Sequence, residues 1–224
     1  MDWDIISESV PAIFSALPTT LGLVGSSLLI GFILAVLVAL GALQKAWFIN
    51  RPANLFVYIF RSSPLLIQIF LIYYGSGQFR QELTAVGLWH LFREPWFCAV
   101  LALSLNTAAY TAEIIRGGIK SVPLDLLEAG AAIGMKKSQI FRRITFPLAI
   151  RQSLPAYGNE VILMVKSSSL ASTITIMDVT GVYKEIASEY FSPLEPLLIA
   201  GSIYLLINFI ATQIIAYFER RLAI

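Results

Sequence analysis

An all-α membrane protein with five spanning helices is the fold class this sequence predicts, and three observations predict it. Of 224 residues, 57% are apolar and only 13% charged, with a mean hydropathy of +0.75; a soluble domain carries about 25% charge. Apolar runs recur at the length of a bilayer-crossing helix, about 20 residues. Lysines and arginines collect in alternate loops, which sets an orientation. The length suits one domain over 1–224.

Leu21 to Leu43 is the first span and Leu55 to Tyr74 the second. The third, Phe97 to Ile115, contains Asn106 and Glu113. The fourth, Pro155 to Ile176, holds Asn159, Glu160, Lys166 and the run Ser167 to Ser169. Polar groups are tolerated in a span that faces protein or a water-filled path. Leu197 to Phe218, with Asn208, is the fifth. No internal repeat is visible. The loop after span one carries Lys45 and Arg51, and the tail Arg220 and Arg221. The loop after span three carries Arg116, Lys120, Lys136, Lys137, Arg142, Arg143 and Arg151. The opposite side has only Arg80, Arg93 and Lys184, among Asp178, Glu185, Glu189 and Glu195. Five spans therefore put the N-terminus outside and the C-terminus and the 121–147 loop inside. Trp3, Trp89 and Trp96 fall at the outer boundary and Trp47 at the inner one, as interfacial anchors do.

Several function classes are excluded. A net charge of +2 leaves no nucleic-acid footprint. The single cysteine, Cys98, and the single histidine, His90, supply neither a disulfide nor a metal-ligand set, so no metal is expected. No G-x-x-x-x-G-K-[ST] loop occurs, so the chain is not itself an ATPase, and no catalytic constellation stands out. The N-terminus, with Asp2, Asp4 and Glu8 and no base, argues against a cleaved signal peptide.

The inner loop reads as two short helices. The first runs from Pro123 to Ile133, with Asp125 at the positive end of its dipole, and Gly134 ends it in the left-handed conformation. The second runs from Lys136 to Ile144, with Pro147 marking its end. Helices this short do not stand alone in water. Leu126, Leu127, Ile133, Ile140, Phe141 and Ile144 need a cover, supplied either by an ATP-hydrolysing partner or by this chain's own membrane helices.

Between Glu128 and Pro147 the chain reads E-A-G-A-A-I-G, nine residues, then I-T-F-P. This resembles the E-A-A, three residues, G, nine residues, I-x-L-P loop of bacterial ABC importer membrane subunits. Glu128, Ala129, Gly134, Ile144 and Pro147 match; Gly130 and Phe146 depart. The stretch from Tyr58 to Gln68 resembles the F-R-G-T-P-L-x-x-Q signature of polar amino acid ABC permeases. Leu105 to Glu113, Arg116-Gly-Gly-Ile, Leu154 to Met164 and Lys166 to Ser172 resemble their third and fourth spans. Together these cover the middle half of the chain, and the N-E-V-I-L-M stretch is most similar to histidine, lysine–arginine–ornithine and opine permeases.

The resemblance implies a type I importer permease of the MetI-like fold in a bacterial inner membrane. The implied partners are an ABC ATPase that uses ATP and Mg, a second membrane subunit, identical or paralogous, and a periplasmic solute-binding protein. The implied docking residues for the ATPase are Glu128, Ala129, Gly134, Ile144 and Pro147. An ion-coupled secondary amino acid transporter is the other reading; the absence of a repeat argues against inverted-repeat architectures.

Asn106, Tyr110 and Glu113 share one face of span three. They either line a path or pack, Asn106 through an interhelical hydrogen bond and Glu113 through Arg116. Glu160, near Tyr157, Met164 and Ser167, either meets a cationic solute or forms a salt bridge to Lys166 or a partner subunit. Arg61 either pairs with a carboxylate or snorkels. The path candidates are Asn106, Tyr110, Glu160, Met164 and Ser167.

Overall fold

The computed structural model describes residues 3–222. Asp2 lies outside them, and nothing is described of the Asp4 side chain. The described residues are helical throughout: α1 (Trp3–Ser15), α2 (Leu17–Ala42), α3 (Trp47–Ser62), α4 (Leu65–Ser76), α5 (Arg80–Ala85), α6 (Trp89–Phe92), α7 (Pro95–Lys120), α8 (Leu124–Ala132), α9 (Lys137–Ile140), α10 (Phe146–Ser167), α11 (Val179–Glu189) and α12 (Leu194–Leu222). A π-turn, Phe141–Thr145, joins α9 to α10, and a 3₁₀ stretch, Ser168–Ile174, follows α10.

Three helical stretches are long and apolar enough to cross a bilayer: Ile5–Ala42, Pro95–Lys120 and Leu194–Arg221. Two bent pairs complete the set. Trp47–Ser62 meets Leu65–Ala85 at 103°, and Lys137–Ile174 meets Val179–Glu189 at 50°. Counting each pair as one span gives five.

Helix α7 is the axis around which α2, α3, α4 and α10 pack. Its contact with α2 is built from small residues. Ala35 and Ala39 of α2 meet Ala108 and Ala112 of α7 in one buried cluster. Small side chains let helix backbones approach closely, which is how membrane helices gain dispersion energy where no hydrophobic drive separates protein from lipid. Near the C-terminal end of α7 Gly118 does the same against α10. A Cβ there would lie 2.0 Å from Ser153 Oγ and 2.8 Å from the Ala149 carbonyl oxygen. On the other side of α10, Gly158 seats Ile215 of α12. Helix α12 presents nearly all its apolar surface outward, only 11% of its most apolar window being buried. Lipid or a second subunit must cover it.

The structure corrects three sequence expectations. Residues 55–74 are not one helix, because the chain breaks at Ser63-Pro64. Ser63 is extended at φ −106°, ψ 143°, as the residue before a proline prefers. The second loop helix does not stop at Pro147. That proline sits in the first turn of α10, just after the π-turn, and the chain stays helical from Lys137 to Ile174. Pro123 caps α8 from outside rather than occupying its first turn.

At the opposite end, α1, α11 and α12 are tied together. Asp178, fully buried, accepts from Gly181 N at 2.8 Å and from Tyr204 Oη at 3.0 Å. It thereby caps α11. Thr20 Oγ1 accepts from Val179 N at 3.1 Å. Tyr190 donates to Glu8, and that carboxylate raises the phenol pKa above its ordinary value.

Candidate functional site

The break between α3 and α4 creates a polar problem and the sequence answers it. The last carbonyls of α3 have lost their helical donors. Gln68, one turn into α4, sends its Nε2 back to Phe60 O at 2.9 Å, Ser63 O at 3.1 Å and Ser63 Oγ at 2.8 Å. Asn106 of α7 donates to Phe60 O at 3.3 Å and to Gln68 Oε1 at 3.1 Å. Tyr110 reaches Arg61 O at 3.5 Å. Non-helical backbone at membrane depth persists only where such groups re-satisfy it. Asn106 therefore makes the interhelical bond that was one of its two expected roles.

A cavity of about 440 Å³ opens beside this break. Asn106, Tyr110, Glu160, Met164 and Ser167 all line it, so the five path candidates from the sequence converge on one space. The remaining walls are Arg61, Ser62, Ser63, Pro64, Leu65 and Leu163. Residues 61–65 were not among the candidates. They enter because the chain turns at Pro64 instead of running on as helix, and the signal was the Ser-Ser-Pro sequence itself.

Two opposite charges face this space. Glu160 is 7% exposed and accepts from Thr107 Oγ1 at 2.9 Å. Among the described residues it has no salt bridge, to Lys166 or otherwise. Arg61 has no carboxylate partner among them either; its guanidinium stacks over the Tyr110 ring, 5.2 Å from the centroid. A cation over an aromatic face is attracted by the ring quadrupole. Glu113 is different: it is paired with Arg116 one turn on and does not line the cavity. The site thus offers one carboxylate and one guanidinium, neither within 4 Å of an opposite charge among the described residues, in a lining that also holds amide and hydroxyl groups.

The inner loop forms a second candidate surface. Gly134 has φ +83°, the left-handed turn expected of it, with nothing within 4 Å of a Cβ built there. Gly130, where alanine is usual, faces Ile144 Cδ1 at 3.0 Å and Ile140 Cγ1 at 3.3 Å from such a Cβ. The departure from E-A-A thus makes room for Ile144. Glu128 and Ala129 are exposed, Pro147 is exposed and Ile144 is half-buried. Leu124, Leu126, Ile133 and Phe141 remain exposed, Ile133 at 79%. This chain's own membrane helices do not cover them.

The family model for the inner membrane component of binding-protein-dependent transport systems matches residues 27–224. The nopaline transport system permease protein of Agrobacterium fabrum is 58% identical over 219 residues, covering 98% of this chain and 91% of that one. The octopine transport system permease protein of Rhizobium meliloti is 47% identical over 215 residues, covering 95% and 86%. A crystal structure of an amino acid ABC transporter with histidines superposes with a TM-score of 0.87 at 32% identity, covering 99% of both chains. The fold is that of MetI-like ABC importer permeases. With a family match over most of its length and such relatives across nearly all of it, the chain belongs to the family of binding-protein-dependent transport system inner membrane components.

Proposed function

We propose that this permease subunit carries opines or basic amino acids, and that the cavity beside Pro64 is where the solute passes. The observation that carries the reading is that Glu160 and Arg61 line one cavity. A guanidinium or ammonium group meets the carboxylate in a charge-assisted hydrogen bond, and a solute carboxylate meets Arg61. Asn106, Tyr110 and Ser167 supply neutral partners, and Met164 an adaptable apolar wall. The names of the relatives, for nopaline and octopine transport, support the same class.

The remaining parts follow from the family. The chain is one transmembrane domain with five spans, two of them bent, in the bacterial inner membrane. It pairs with an identical or paralogous permease subunit and receives solute from a periplasmic binding protein. A separate ATPase, using ATP and Mg, docks on the loop around Glu128, Ala129, Gly134, Ile144 and Pro147. The uncovered Leu126, Ile133 and Phe141 support that docking.

Glu160→Gln keeps the shape and removes the charge. In complexes assembled with partner ATPase and binding protein, uptake of a cationic solute should fall about 10- to 150-fold, the worth of a charge-assisted contact. A neutral analogue delivered by the same binding protein should be nearly unaffected. Equal loss for both solutes, after normalising to assembled complex, would count against the site.

A further inference from the structure

Threonine and serine hydroxyls inside helices ordinarily return to the carbonyl one turn back. In this chain Ser26, Thr84, Ser202 and Thr212 do so at 2.7 Å. Thr107 does not. Its Oγ1 leaves α7 and donates to Glu160 Oε1 on α10, 2.9 Å away, with both residues buried.

The reason lies on a third helix. A Cβ built on Gly31 of α2 would fall 2.2 Å from Thr107 Cγ2. The Thr107 methyl therefore occupies the space that any other residue at position 31 would fill. Threonine carries its methyl and hydroxyl on one branched carbon, so χ1 is stiff. Seating the methyl over Gly31 aims the hydroxyl at Glu160. The bond occupies Oε1. Among the described residues Oε2 has no hydrogen bond, and the residue lines the cavity.

We infer that Thr107, seated on Gly31, is a positioning residue that holds the Glu160 carboxylate aimed into the cavity, ready for a cationic solute. This rests on the reading of Glu160 given above. A glutamate has three side-chain torsions. Fixing one oxygen before the solute arrives removes ordering that binding would otherwise have to supply. Gly31 and Thr107 touch no solute and act only through the acid.

The test is direct binding to the purified complex in nanodiscs, without the binding protein. Radiolabelled arginine is the probe, and citrulline its uncharged near-isostere. Thr107→Val should weaken arginine binding about tenfold and citrulline binding less than about twofold, since only the bond to the carboxylate is lost. Thr107→Ser, which keeps the hydroxyl, should stay within about threefold of wild type. Gly31→Ala, which displaces the methyl, should resemble Thr107→Val. Combining Gly31→Ala with Thr107→Ser removes the clashing methyl and should recover part of the affinity, because the new Cβ still stands 3.0 Å from the Ser104 carbonyl oxygen.

A purely packing role predicts the reverse order. Valine, which preserves shape, would be harmless; serine, which leaves a methyl-sized gap, would be harmful, for both probes alike. That pattern overturns the inference. If Thr107→Val does not assemble, Thr107→Ser decides: arginine and citrulline binding weakened alike in that variant overturns it. Glu160→Gln separates the two levels. If it leaves arginine binding intact, or the wild type binds no arginine, the site itself falls. If it weakens arginine while Thr107→Val binds normally, only the positioning role falls.

Discussion

Gly117 and Gly118 are neighbours with opposite tolerances. Nothing lies within 4 Å of a Cβ at Gly117, whereas one at Gly118 would overlap Ser153 Oγ and the Ala149 carbonyl. Ser153 can turn away from its own bond to Ile114 O, but the carbonyl moves only with α10. Gly118→Ala should therefore force α7 and α10 apart, an overpacking cost of about 1–3 kcal/mol. A thermal-shift assay on the assembled complex should show a lowered melting temperature. Gly117→Ala should leave it unchanged, and Gly118→Ala with Ser153→Ala should recover part of the loss. An unchanged melting temperature for Gly118→Ala would mean that the helices are not packed this closely. At this scale the sequence was readable where a residue is chemically out of place. A lone acid in an apolar helix marks Glu160, and an i, i+4 pair marks Asn106 and Tyr110. Gln68 and Thr107 enter the sequence reading only inside motif stretches, and their roles were not legible, because a hydroxyl or amide signals nothing until its partner is known, and the partner of Thr107 is 53 residues away in the chain.

The elements follow the same division. The long apolar helices α2, α7 and α12 were legible, since length and hydropathy fix them. The break at Pro64 was not, because hydropathy averaged over a span is blind to a turn inside it; the Ser-Ser-Pro signal was local and the window was not. In the loop, Gly134 was legible as a left-handed stop, but the π-turn at Phe141–Thr145 has no sequence signature and carries the helix past Pro147. The open space around Gly134 makes a prediction about the loop as an element. A Cβ added at Gly134 meets no atom of this chain within 4 Å, and a non-glycine residue in left-handed backbone costs about 1–2 kcal/mol. The subunit should therefore insert and pair normally. In Gly134→Asp uptake should be lost, because a charge now stands at the proposed ATPase contact. Co-purification and ATP hydrolysis should show a weakly bound or uncoupled ATPase. Normal uptake would remove this loop from the coupling.

The whole molecule must be oriented before any of this operates. By the excess of Lys and Arg around 116–151 and at the tail, the loop and the C-terminus are expected on the inner side. A fluorescent protein fused after Ile224 should glow and an alkaline phosphatase there should be inactive; the opposite pair of results would overturn the five-span arrangement. Orientation also gives meaning to the unbroken helix that leaves the loop. From Ile144 to Glu160 the chain rises about 24 Å at 1.5 Å per residue. Such a segment is a beam. If docking pivots its inner end, a tilt of about 5° over this helical length moves the far end by about 2 Å. Pro147 and Pro155 each remove one backbone donor along that length and are its soft joints. A displacement that would pass as jitter on a surface loop is, at the carboxylate's end of the beam, enough to part a hydrogen bond.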